Sequence, residues 1–244
     1  MMPPVQKRLS YSFAIGLALF AVCLIYIPLW GRYAPSVHQS VPTSPYLTPW
    51  TVVSVSALSL ALALIAAPVR APQPIQFILA KTLSTVVFCL AAVFLLEYAS
   101  GIRVPDLDIF FLPDSSGQRT TLYSARPTPH SSTTSLLFAS ALLIFHPDSS
   151  WRKRAFKLGV LVALVLPTFA SIGYLLDFLF PPTQTSSPRV GLSLPAVILY
   201  FTLGSGLLGL CFGSNVPKPV GGRLSVASGQ LSVAKRPSKR LFQK

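Results

Sequence analysis

Acidic side chains are nearly missing from this chain: six Asp plus Glu stand among 244 residues, against 20 Lys plus Arg, and charged residues make up only 11%. A soluble domain carries about a quarter of its residues as charges, so a water-solvated globule is excluded on composition. Cysteine is also scarce. Cys23, Cys89 and Cys211 fall singly inside apolar runs with no C-x-x-C spacing, which argues against a disulfide framework and a thiolate zinc site. The histidines, His38, His130 and His146, form no cluster. His130 and His146 sit at opposite ends of one apolar segment, too far apart to share a metal or a haem. A single axial ligand to a pigment is the most they offer, and no metal or other cofactor is expected. Alternating segments of strand length are missing too, which argues against a β-barrel.

What is present is apolar length. Hydrophobic residues make up 52% and mean hydropathy is +0.60. The apolar runs are about 18 to 25 residues long, enough for a helix rising about 1.5 Å per residue to cross a hydrocarbon core of about 30 Å. The net charge of +14 would suggest nucleic-acid binding in a soluble protein. Here the basic residues cluster at alternate ends of the apolar runs, a pattern that orients helices in a bilayer, and no nucleic-acid partner is expected.

Six membrane helices are predicted, over about 11–30, 49–67, 75–98, 132–146, 155–180 and 190–212. The first follows Lys7 and Arg8 but lacks a small-x-small cleavage site, so it reads as a retained helix after a cytoplasmic N-terminus, 1–10. Lys81 sits one to two turns inside the third helix and is expected to snorkel to the nearer interface. Between the third and fourth helices runs the longest loop, about 30 residues with three Asp and three Arg, a length that usually signals function or a cap. The fourth helix is marginally short. Pro167 predicts a kink in the fifth. In the sixth, Ser205, Gly209 and Gly213 recur every four residues and predict a tight packing face. The same segment contains Gly204-Ser-Gly206-Leu-Leu-Gly209, a literal G-x-G-x-x-G, but with no strand before it the glycines read as packing. The remainder, 214–244, is basic and rich in Gly, Pro and Ser, which predicts a disordered cytoplasmic tail beside an anionic leaflet.

With N and C termini inside, three-quarters of the 20 basic residues lie inside, while Glu97, Asp106, Asp108, Asp114 and Asp177 lie at or near the outer face. The helices group as three hairpin repeats whose landmarks are a Tyr near the outer end of each first helix (Tyr33, Tyr98, Tyr174) and a Pro before each return helix (Pro49, Pro129, Pro188).

The segments LLEYASGI (95–102), DLDIF (106–110) and ARPTPHSSTTSLLF (125–138) resemble the multi-helix membrane sensor region that precedes PAS, histidine-kinase or diguanylate-cyclase modules in bacterial signalling proteins. Glu97, Tyr98, Gly101, Arg126, Pro129 and a Thr at 133 or 134 carry the resemblance, over roughly residues 77–212. Ala125, Thr128 and His130 stand where that pattern has Gly, Ser and Asn. No such module follows within this chain. The resemblance implies a bacterial inner membrane and a sensing role exerted through a separate effector.

No nucleophile and base are paired among the few polar residues of the apolar segments, so no catalytic residue and no enzyme is expected. The chemistry left is an outer polar rim, a candidate ligand or partner surface: Glu97, Tyr98, Arg103, Arg126, His130, Tyr174, Asp177 and Arg189. The reading is an all-α integral membrane protein, sensor-like, with membrane lipid and other membrane proteins as partners. The alternative is an accessory structural subunit of a photosynthetic or respiratory membrane complex.

Overall fold

The computed structural model describes residues 4–40, 47–67, 74–102, 126–147, 149–179 and 191–213. Seven helices are found among them and no strand: α1 (Pro4–Ser40), α2 (Pro49–Ala66), α3 (Pro74–Ser100), α4 (Pro129–Ile144), α5 (Ser150–Ala163), α6 (Val165–Leu179) and α7 (Leu194–Gly213). Five stretches are long and apolar enough to cross a membrane: Tyr11–Leu29, Pro49–Ala66, Pro74–Ser100, Ser150–Leu176 and Leu194–Cys211. The tail expected to be disordered, 214–244, lies outside the described residues, as do Pro188 and most of the long loop.

The helix boundaries follow from local chemistry. Proline is tolerated in the first turn, where its missing N–H has no helical partner, and α2, α3 and α4 each begin on one. Thr128 Oγ1 accepts from the Ser131 amide, so α4 starts three residues before the expected 132 and has 16 residues. Gly101, at φ +70°, ends α3 by donating its amide to the Glu97 carbonyl, a left-handed turn that suits glycine alone. The fifth expected helix is divided at Leu164. Pro167 cannot donate to the carbonyl four residues earlier, at Ala163, so the break falls one turn upstream of the proline.

Few charges are available to hold these helices together, and side-chain hydroxyls take over part of that role. Tyr26 Oη donates to the Leu47 carbonyl at 3.0 Å, Tyr98 Oη to Pro127 at 2.9 Å, and Tyr174 Oη to Leu192 at 2.7 Å. In each case the acceptor lies two residues before a helix start, those of α2, α4 and α7. The same clamp thus recurs three times. The first clamp uses Tyr26, while the side chain of Tyr33 and Pro188, two of the expected landmarks, lie outside the described residues.

Paired contacts fix the directions. Gly16 meets Ser59 and Ala63, Lys81 meets Leu142 to Phe145, and Leu164 meets Gly204, so α1 with α2, α3 with α4, and α5–α6 with α7 are antiparallel. Neighbouring pairs join through Trp50 on Phe94, with ring centroids 5.6 Å apart, and Phe145 on Phe156 at 4.8 Å. Ser12 Oγ donates to the Gly206 carbonyl at 2.9 Å and brings α7 back onto α1, closing the ring. Burial separates an inner layer from an outer one: 72% of the α2 span is buried, against 22%, 28% and 17% of the α1, α3 and α5–α6 spans. One apolar core joins Leu58 and Leu62 of α2, Phe138 and Leu142 of α4, and Leu203 and Leu207 of α7. Burying each such side chain contributes about 1.5–3 kcal/mol where water is displaced. Within a bilayer the gain comes from close packing instead.

Candidate functional site

The polar end of the α3–α4 pair is where unlike charges meet. Glu97 lies in the last turn of α3 and Arg126 two residues before the Thr128 cap of α4. Their side chains form a buried ion pair, Arg126 Nη1 donating to Glu97 Oε2, at 2% and 3% exposure respectively. Desolvating both ions is costly, so the pair persists only because each neutralises the other at contact. Tyr98, the next residue along α3, fixes the next carbonyl along the loop, that of Pro127. Two adjacent residues of the helix thus grip two adjacent residues of the loop.

Beneath this latch the first turns of α4 are polar yet buried. Ser131, Ser132, Thr134 and Ser135 are all nearly inaccessible. Tyr200 of α7, fully buried, shares a 2.8 Å hydrogen bond with Ser135 Oγ and donates to the Ser131 carbonyl at 3.0 Å, while its ring stacks on Phe138. Thr133 and Thr134 return their hydroxyls to carbonyls four residues back, the usual way a helix satisfies such groups in apolar surroundings. Ser132 Oγ is different. It is buried and has no hydrogen-bond partner among the described residues.

Of the expected rim, Glu97, Tyr98 and Arg126 come together at this point. His130 is exposed on the first turn of α4, and Tyr174 lies apart, in the clamp on Leu192. Arg103, Arg189 and the side chain of Asp177 lie outside the described residues, as do Asp106, Asp108 and Asp114. Of the expected packing ladder, Gly209 lies where α1 approaches closely. Ser205 Oγ donates to the Thr202 carbonyl, and the surroundings of Gly213 are not described. Gly206 and Gly209 are where α1 comes close, since a Cβ at Gly209 would stand 2.5 Å from Ser12 Oγ.

Two features were not read from the sequence. Tyr200 sits in an apolar run with nothing local to mark it; its signal was the Ser-rich turn of α4, which needed a donor from another helix. Lys81 reaches back to cap α4, its Nζ donating to the carbonyls of Leu142, Leu143 and Phe145 at 2.7, 2.5 and 2.8 Å. The Phe77 ring lies 5.0 Å from the same ammonium. These carbonyls have no helical donor at a C-terminus, and a cation there also opposes the negative end of the helix dipole. Lys81→Met is therefore expected to lower stability by about 1.5–3 kcal/mol, the range of a hydrogen bond to a charged group. Thermal unfolding in detergent measures it, with faster amide exchange in the last turn of α4 as the local sign.

The fold and this latch define the class as an all-helical protein with several helices long and apolar enough to span a membrane. No protein-family model matches the chain, and comparison with curated proteins and with solved structures gives no significant match.

Proposed function

We propose that the protein is a membrane-embedded, sensor-like module of three helical hairpins, non-catalytic, whose polar rim faces the outside of a bacterial inner membrane. What supports this reading above all is the buried Glu97–Arg126 pair at the mouth of the longest loop. Ionisable groups placed within an apolar bundle are expensive, and where they occur they mark binding or switching positions more often than packing ones. Ser132 Oγ, in the first turn of the α4 helix that follows and buried without a hydrogen-bond partner among the described residues, adds a polar group that a ligand could satisfy. Movement of the latch would be carried along α3 and α4 to the opposite face, where a separate effector would respond. The excess of basic residues at one set of helix ends supports N and C termini on the inner side.

Two measurements test this. A cysteine introduced at His130 should react with a membrane-impermeant maleimide from outside intact cells, and one at Arg154 only after permeabilisation. The reverse pattern would overturn the topology. Mild extraction of the native membrane, followed by identification of co-migrating proteins, tests the role: a kinase or cyclase supports sensing, whereas a stable pigmented or redox complex would make the chain a structural subunit.

A further inference from the structure

We infer that the Glu97–Arg126 ion pair is a releasable catch laid over a permanent clamp, an inference that rests on the sensor reading above and names the part of the latch that moves. The three antiparallel helix pairs supply the comparison. Each is tied by the same neutral bond, a Tyr hydroxyl donating to the carbonyl two residues before the second helix: Tyr26 to Leu47, Tyr98 to Pro127 and Tyr174 to Leu192. Only the middle one adds charge beside it. The residue before the Tyr is Ile25, Glu97 or Gly173, and the residue before the acceptor is Tyr46, Arg126 or Gly191, so no ion pair can form at this place in the first and third. The direction differs as well. Ile25 is 62% exposed and nothing lies within 4 Å of where a Cβ at Gly173 would stand, whereas Glu97 is buried. Two helix pairs of three are tied without charges here, so holding the helices together does not account for Glu97 and Arg126.

What the two ions add is a second state at small cost. A buried ion pair sits near balance, because much of the attraction lost on parting is offset by the hydration each ion regains. Glu97 in the last turn of α3 and Arg126 ahead of the α4 cap stand at the polar end of these helices, and both side chains are long enough to turn their charged ends toward water. The Tyr98 hydroxyl, by contrast, meets the Pro127 carbonyl at the end of a rigid ring. Parting that bond means moving backbone. Opening the catch therefore frees the Arg126 guanidinium while the clamp keeps Pro127, and with it the Thr128 cap and the first turn of α4, in place. A ligand that binds one of these two states better than the other shifts the balance between them.

The test uses the full chain reconstituted in phosphatidylcholine vesicles and two readouts. Phenylglyoxal labels accessible guanidinium groups, and peptide mapping by mass spectrometry compares Arg126, 2% exposed, with the exposed Arg154. Amide exchange in the first turn of α4 reports the clamp. E97Q should speed labelling of Arg126 by about tenfold or more, the size of a lost hydrogen bond to a charged group, and leave first-turn exchange within about twofold. E97D, which keeps the charge, should return labelling most of the way to the unaltered rate. Y98F should do the reverse of E97Q, raising first-turn exchange by about threefold, as for a neutral hydrogen bond, with little change in labelling. Both variants raising both readouts alike would mean one structural unit and overturn the inference. Labelling of Arg126 that E97Q leaves unchanged overturns it too, as does an unaltered protein in which Arg126 labels only on global unfolding. Resistance to carbonate extraction and co-purification of an effector are scored separately, and failure there counts against the sensor reading while the contrast between E97Q and Y98F stands.

Discussion

Arg126→Ala is expected to lower the stability of the folded protein by about 3–5 kcal/mol, the loss typical when one member of a buried ion pair is removed. The Glu97 carboxylate would remain at 3% exposure with its guanidinium gone. Glu97→Gln should cost less than Arg126→Ala if the amide keeps a hydrogen bond to the guanidinium, and more than a surface change. The informative variant is the double one. E97Q/R126Q removes both ions together, and neutralising both members of such a pair is often nearly neutral because the desolvation cost goes with the attraction. With R126Q as the matching single variant, thermal unfolding of the unaltered protein, E97Q, R126Q and E97Q/R126Q in one detergent forms a complete cycle. Independent, additive losses would mean that the two side chains do not act as a pair.

A similarly large effect is expected at Gly16, for a steric reason. A Cβ there would stand 2.8 Å from both the Ala63 amide nitrogen and the Ser59 carbonyl oxygen. These are backbone atoms of α2, so no side-chain rotation relieves the contact and the two helices must separate. Gly16→Leu should lose about 3 kcal/mol, the upper end of overpacking. Gly16→Ala should lose less, since alanine recovers up to about 1 kcal/mol of helix propensity. Gly173 supplies the control, because nothing lies within 4 Å of the position its Cβ would take. A Gly173→Leu protein as unstable as Gly16→Leu would show that side-chain bulk, not the α1–α2 approach, is responsible.

How much of this was legible beforehand depended on whether the signal was local. The apolar runs lie one after another along the chain, so the spans over α1, α2, α3, α5–α6 and α7 could be read from length alone. Glu97, Tyr98 and Arg126 were also within reach, being rare polar residues beside apolar ends. Other features needed a partner far along the chain. Tyr26 stands among apolar residues with nothing local to mark it, and only its clamp on Leu47 reveals its role. Lys81 read as a cation reaching for water, whereas the nearest acceptors are the unsatisfied carbonyls of α4, 61 to 64 residues away. Of the ladder on α7, Gly209 meets α1, while Gly206, one residue past Ser205, was not in it. Spacing of four set the pattern from Ser205, while the neighbour that decides the face, Ser12, belongs to α1.

The ring of helices also has a seam, and the seam dictates an order of assembly. Ser12 and its acceptor at Gly206 are separated by 194 positions, so α1 is made long before α7 exists. At about 5–20 residues per second of synthesis, that interval is about 10–40 s. For all of it the hydroxyl of Ser12 and the side of α1 that meets Gly206 and Gly209 are without that partner. Until then α1 is held by α2 and the residues just before it, so the clamp of Tyr26 on Leu47 and then the approach at Gly16 are the first of the described tertiary contacts the nascent protein can secure. The last helix completes a structure whose first edge has been waiting for it.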